Sequence, residues 1–239
     1  MITLITPTGG RHESFALCEK WMANQTVNGA IQWIVIDDCS PSVTCTMGQE
    51  YYRGPKDWKE GINTQRLNMD FALTKIKGDY IFVIEDDDYY APEYLETYVD
   101  LLQHFTVVGE GNAKYYSLRH PGYKEMRNRN HASLCQTGIR KEAISLLERA
   151  VNSGELYFDI QLWTQVADNS VPACLFTDKN LAVGIKGMPG RTGIGVGHKQ
   201  KDYYFDANYT KLREWIGNDS EHYLDYLKKE KQNEQRRVL

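Results

Sequence analysis

The chain opens with a pattern of short, solidly apolar runs separated by polar breakers. Ile2-Thr3-Leu4-Ile5-Thr6 is stopped by Pro7-Thr8-Gly9-Gly10, and a helical spacing follows with Phe15, Leu17, Cys18, Trp21 and Met22 on one side. Ile31-Gln32-Trp33-Ile34-Val35-Ile36 reads as a second buried strand, halted by Asp37-Asp38-Cys39-Ser40-Pro41. Residues 63–75 read as a helix, and Tyr80-Ile81-Phe82-Val83-Ile84 as a third strand. Runs that are apolar throughout, rather than alternating, predict a mainly parallel α/β sheet covered by helices on both faces. Beyond this the pattern loosens. Residues 94–105 read as a helix and Thr106-Val107-Val108 as a short strand, while 109–130 form a polar excursion rich in Tyr and Arg. Residues 141–151 and 158–166 are amphipathic helices, and the chain turns helical again from Tyr209. The segment from Gly184 to His198 holds so many glycines that neither a helix nor a central strand is expected there.

Length and composition narrow the function classes. The 239 residues can bury a large core, and 41% hydrophobic content is ordinary for a globular protein. A net charge of −4 gives no bulk field for nucleic acid or membrane, although Arg119, Lys124, Arg127 and Arg129 make a local basic patch. The five cysteines include no C-x-x-C pair, so neither zinc ligation nor a disulfide framework is indicated, and a cytoplasmic setting is expected. Met1 leads straight into a strand, so no signal peptide is expected, and no apolar run approaches the roughly 20 residues of a membrane span.

The densest chemistry is Glu85-Asp86-Asp87-Asp88, four carboxylates at the carboxyl end of the third strand. Like charges so close disfavour joint ionisation, which a cation relieves, and an oxygen-only set suits a hard divalent ion such as Mg²⁺ or Mn²⁺. The carboxyl edge of an open α/β sheet is also where ligands bind. The plain alternative is a solvated acidic turn ahead of the helix near Pro92.

These motifs together resemble the GT-A glycosyltransferases, in particular their large inverting family. The first strand with its Thr-Pro-Thr turn, Val35-Ile36-Asp37-Asp38-Cys39-Ser40, Lys77-Gly78-Asp79-Tyr80-Ile81, the Glu-Asp-Asp variant of a DxD motif at 85–87 followed by Ala91-Pro92, and Phe158-Asp159 before Leu162-Trp163 occur in the family's order. The resemblance implies a nucleoside-diphosphate sugar donor, UDP by default, and a Mn²⁺ or Mg²⁺ cofactor. Pro7, Thr8 and Arg11 would meet donor phosphate or ribose at a helix start. Asp37 and Asp38 would reach base or ribose, their alternative being an Asx turn or cap. Glu85 and Asp86 join the donor set, Asp87 and Asp88 the metal set, and Asp159 is the expected base, its alternative being an ordinary first-turn acid. Lys186 and Arg191 would grip the diphosphate as the glycine-rich loop closes, and His198 would add a metal or phosphate contact.

The implied layout is a nucleotide-sugar-binding half at 1–105, an acceptor-binding half of the same GT-A domain at 106–200, and a helical tail at 201–239. The basic, Tyr-rich segment 115–131 is one that can contact phosphate and stack on bases. The sequence is in that respect similar to phage-encoded glycosyltransferases that decorate hydroxymethylated DNA bases, so the acceptors to weigh are a modified DNA base, a soluble saccharide and a protein. Two rival functions remain open on residues alone. A sugar-nucleotide nucleotidyltransferase would carry a longer Gly- and Arg-bearing loop than Gly9-Gly10-Arg11, and a non-catalytic sugar-nucleotide binder would not need Asp159.

Overall fold

A computed structural model describes residues 1–59, 63–188 and 201–229 with their side chains, and the backbone of 200 and 230–238. In chain order the elements are β1 (Ile2–Thr8), α1 (His12–Ala23), β2 (Ile31–Asp37), β3 (Glu50–Arg53), α2 (Gln65–Leu73), β4 (Tyr80–Val83), β5 (Asp88–Tyr90) and α3 (Tyr94–Leu102). There follow β6 (Val107–Glu110), β7 (Lys114–Ser117), β8 (Gly122–Glu125), β9 (Thr137–Arg140), α4 (Ile144–Asn152), α5 (Phe158–Asp168), β10 (Ala173–Phe176), β11 (Ala182–Lys186), β12 (Tyr204–Phe205), α6 (Thr210–Ile216) and α7 (Ser220–Val238).

The central sheet runs β10-β6-β9-β4-β1-β2-β3. β4, β1, β2 and β3 are mutually parallel, β10 is parallel to β6, and β9 runs antiparallel between β6 and β4. Successive residues of each apolar strand feed opposite faces, which is why no alternation shows in the sequence. Leu4, Trp33 and Phe82 pack on one side with Phe15, Trp21, Tyr94 and Tyr98 from α1 and α3. Ile5, Ile34, Ile81 and Val83 pack on the other with Met69, Leu147 and Leu162 from α2, α4 and α5. The tail joins the first core: Tyr223 and Leu224 of α7 are buried there, and Trp21 donates its indole N–H to the Tyr223 hydroxyl at 2.9 Å.

A second sheet, β12-β8-β7-β11-β5, corrects two expectations. The polar excursion is strand structure: Lys114 and Tyr116 are buried, and the Tyr116 hydroxyl donates to Asp206 at 2.9 Å. Gly184, Ile185 and Lys186 lie in β11, an interior strand of this sheet between β5 and β7. Gly184 is required there by space, because a Cβ would sit 2.4 Å from the Tyr115 ring. The remainder of the glycine-rich stretch, from 189 to 199, lies outside the described residues.

Candidate functional site

Glu85, Asp86 and Asp87 lie between β4 and β5 and Asp88 opens β5, at the carboxyl edge of the parallel strands, so the two sheets meet at the acidic run. The turn is fixed by its own neighbours: the Glu85 N–H donates to the Tyr90 hydroxyl at 2.8 Å and the Asp88 N–H to the Glu85 carbonyl at 3.3 Å. Asp86, Asp87 and Asp88 are buried, while Glu85 is half-buried.

Each carboxylate faces different company. Asp86 accepts from the Thr8 hydroxyl at 2.5 Å and pairs with the Arg11 guanidinium at 2.5 Å. Asp87 lies 3.4 Å from Arg11 and 3.1 Å from the Lys186 ammonium, which also reaches Asp88 Oδ1 at 3.3 Å. Asp88 Oδ2 is buried without a hydrogen-bond partner. Glu85, Asp88 and Cys135 each offer one ligand atom, all within 4.8 Å of one another, and they form the one such group of three among the described residues.

The electrostatics follow from that company. Burial, then the charge of Asp88, pushes the Glu85 carboxyl up to about 8. Burial raises Asp86 to about 6 even against Arg11. For Asp87 burial acts in the same upward sense, but Lys186 and Arg11 outweigh it and hold the carboxyl below its usual range. Burial also raises Asp88. Two cations thus offset part of a buried cluster of four acids, and the unpartnered oxygen of Asp88 beside Glu85 is where a further positive charge fits. The donor set accommodates a divalent ion: two carboxylates suit Mg²⁺ or Mn²⁺, and the thiol adds a softer donor.

The other expected residues are distributed as follows. Pro7 and Thr8 end β1, and Arg11 precedes the first turn of α1. Asp37 is fully buried and closes an Asx turn, accepting the N–H groups of Cys39 at 2.9 Å and Val43 at 2.8 Å. Asp38 accepts from Thr64 Oγ1 and from Asn68 Nδ2, the latter at 2.9 Å, and so ties β2 to α2. Both carboxylates organise the protein itself. Asp159 sits in the first turn of α5, where burial raises its carboxyl against the opposing charge of His131. One turn on, Trp163 donates its indole N–H to Thr137 Oγ1 at 3.1 Å, fastening α5 to the start of β9. β9 in turn pairs with β4 through Gly138 and Phe82, three residues ahead of Glu85, so α5 is tied to the strand beside the one that ends in the acids. Arg191 and His198 lie outside the described residues.

Cys135 is the site residue that sequence reasoning missed. It occupies a 3₁₀ turn, Leu134–Gln136, ahead of β9. Only the antiparallel pairing of β9 with β4 brings it to the acids, so no local spacing announces it.

A mixed sheet with a carboxylate turn at its edge and helices on both faces is the GT-A architecture. Residues 5–150 match glycosyl transferase family 2, and the chain belongs to that family. No curated protein matches the sequence. Among solved structures, S. aureus TarS residues 1–349 in complex with UDP-GlcNAc is similar, with 15% identity and TM-score 0.53 over 83% of this chain and 61% of that one. The mannosyltransferase PcManGT from Pyrobaculum calidifontis, in complex with GDP-Man and Mn²⁺, is similar at 13% identity and TM-score 0.52, over 79% of this chain and 57% of that one. A structure of S. aureus TarS matches at TM-score 0.52 and 14% identity over 77% of this chain and 36% of its own. The chain therefore spans between about a third and three fifths of the length of these proteins.

Proposed function

We propose that the chain transfers a sugar, with inversion, from a nucleoside-diphosphate sugar to an acceptor hydroxyl. A divalent cation at the Glu85–Asp88 turn, Mn²⁺ or Mg²⁺, assists, and UDP is the default nucleotide. The observation that carries this reading is the buried, half-neutralised acid cluster with a free oxygen at the carboxyl edge of a family 2 sheet. Similar structures that hold UDP-GlcNAc, or GDP-Man with Mn²⁺, support the donor class and the cation.

When bound, the cation would supply Lewis-acid stabilisation of the negative charge on the departing diphosphate. The chain's own residues do the rest. Lys186 is already turned towards Asp87 and Asp88, so diphosphate can take over part of its charge when the donor arrives. Arg11, at the start of α1, pairs with Asp86 and opposes the upward pull of burial on its carboxyl. Asp37 and Asp38 shape the floor for base and ribose through the loop and helix they hold. Asp159 accepts the acceptor proton, and its raised carboxyl makes it a stronger base than an exposed aspartate. The acceptor is a hydroxyl compound reached from the Asp159 side. Tyr116 is buried with its hydroxyl donating to Asp206, so that ring offers no face for an acceptor to stack on.

Thermal shift with nucleoside diphosphates and their sugars, with and without Mn²⁺, tests donor and cation together. A ligand at 100 times its Kd raises stability by about 2.7 kcal/mol. Asp159→Asn should keep that shift and lose about 10²- to 10⁴-fold in turnover on an acceptor panel of saccharides, glycosylatable peptides and hydroxymethylpyrimidine DNA. Full turnover in Asp159→Asn would remove it as the base, and a missing donor shift would remove the transferase reading.

A further inference from the structure

We infer that Cys135 is a metal ligand, its thiolate closing a three-donor cation site with the carboxylates of Glu85 and Asp88. That thiolate makes the site prefer thiophilic divalent ions to Mg²⁺. The inference rests on the cation reading proposed above and adds to it a donor atom and a selectivity.

The geometry is that of donors around one ion. The three ligand atoms lie within 4.8 Å of one another. Donors bound at about 2.0–2.3 Å from a shared metal are separated by no more than about 4.6 Å, so a small inward movement completes the shell. Asp88 makes this more than an acidic cluster. Its residue is 1% exposed, its Oδ1 takes Lys186 at 3.3 Å, its Oδ2 meets no cation and no N–H or O–H donor among the described residues, and the Cys135 thiol bonds the carboxylate where a metal would replace the proton. A buried carboxylate oxygen without a partner is costly, and a cation satisfies it.

The turn that carries Cys135 is also held in place by buried tyrosines whose hydroxyls bond its carbonyls. The Tyr94 hydroxyl donates to the Cys135 carbonyl at 2.8 Å, and the Tyr98 hydroxyl to the Gln136 carbonyl at 2.8 Å. The Gln136 amide donates to the Ala182 carbonyl at 3.1 Å, linking the turn to the strand that carries Lys186. On the opposite side Tyr90 fixes the Glu85 backbone. The donors therefore sit on rigid elements of both sheets, with half-buried Glu85 as the side open to solvent.

Binding exchanges a proton for the metal: the S–H bond breaks, a sulfur–metal bond forms, and the proton leaves to water. No oxidation state changes. A thiolate donor contributes little to Mg²⁺ and more to ions along the series from Mn²⁺ to Co²⁺ and on to Zn²⁺, so affinity should follow that order with Mg²⁺ weakest.

The test is Co²⁺ titration of the full chain, following the near-ultraviolet thiolate-to-cobalt charge-transfer band, with competition against Mn²⁺ read by Mn²⁺ electron paramagnetic resonance. The band should appear saturably in the wild type and in a triple variant with Cys39→Ser, Cys45→Ser and Cys174→Ser. It should vanish in Cys135→Ser, with Co²⁺ affinity falling about tenfold or more. Should Cys135→Ser fail to fold, Glu85→Gln in the triple background decides, since it leaves both remaining thiols in place and must weaken the band about tenfold or more. Co²⁺ that competes with Mn²⁺ but gives no band, a band that survives Cys135→Ser, or a band untouched by Glu85→Gln overturns the Cys135 assignment and leaves the cation reading standing. Failure of Co²⁺ and Mn²⁺ to bind at all, with UDP present or absent, overturns both.

Discussion

Asp86 and Asp88 stand two residues apart, both 1% exposed, and each has one oxygen without a hydrogen bond among the described residues, yet only in Asp86 is that oxygen paired with a cation. Asp86 has a hydroxyl on one oxygen and a guanidinium on the other, both supplied by the end of β1 and the start of α1. Asp88 has an ammonium on one oxygen and no cation on the other among the described residues, with the Glu85 carboxyl close by and the Cys135 thiol bonded to it. A satisfied buried charge holds structure together, whereas an unsatisfied one beside further donors is a place for a ligand. The same tetrapeptide therefore serves as a rivet at one end and a socket at the other.

Removing the rivet should give the largest effect on stability. Arg11→Ala leaves Asp86 buried with only Thr8, and breaking a buried pair from one side typically costs about 3–5 kcal/mol. Asp88→Asn should cost far less without metal, because it removes a charge whose ionised form burial disfavours. Urea denaturation of the two variants in chelator checks the contrast. Equal losses, or an Arg11→Ala loss below about 1 kcal/mol, would show that the two ends do not differ as described.

A smaller effect should come from the strand that supplies Lys186. Gly184→Ala drives a Cβ to 2.4 Å from Tyr115, whose hydroxyl is fixed to Ser133 at 2.8 Å and whose ring lies 5.8 Å from the Lys186 ammonium. Overpacking of this kind costs about 1–3 kcal/mol. The cause is the ring, so Gly184→Ala should add nothing once Tyr115→Ala has removed it. A double-mutant cycle of denaturation midpoints reads this, and additive losses would place the clash elsewhere.

The two sheets also differ in how far the sequence discloses them. β1, β2 and β4 are buried on both faces, so each reads as an unbroken apolar run bounded by Pro, Gly or Asp, and the acids at the end of β4 are visible with it. α4 and α5 show through their helical spacing. β7, β8 and β11 are short and mix Lys, Tyr and Gly, because their burial comes from neighbours far along the chain. For the same reason Thr8, Arg11 and Asp86 are legible as site residues but their mutual contact is not, and Cys135 carries no local signal at all. Motifs are local, whereas the partner that satisfies or fails to satisfy a buried charge is set by strand pairing.

Glu110, at the end of β6, carries the contrast away from the acidic turn. It is fully buried, with one oxygen accepting from Lys114 at 2.9 Å and Oε2 left without a partner. Burial, only partly opposed by Lys114, pushes its carboxyl from 4.5 up to about 7. Between those two values the folded chain holds a proton that the unfolded chain has released. The contribution of Glu110 to stability therefore falls as pH rises from 4.5 to about 7, by at most about 1.4 kcal/mol per pH unit, and this group adds no slope outside that window. Glu110→Gln still offers Lys114 an oxygen but cannot titrate. It moves the whole stability curve by an offset and removes this downward contribution between pH 4.5 and 7, so that variant minus wild type rises across that range. Denaturation midpoints taken across that range separate offset from slope. Parallel curves for the two proteins would mean that Lys114 satisfies Glu110 completely, and that an oxygen without a hydrogen bond does not by itself mark an unsatisfied charge in this fold.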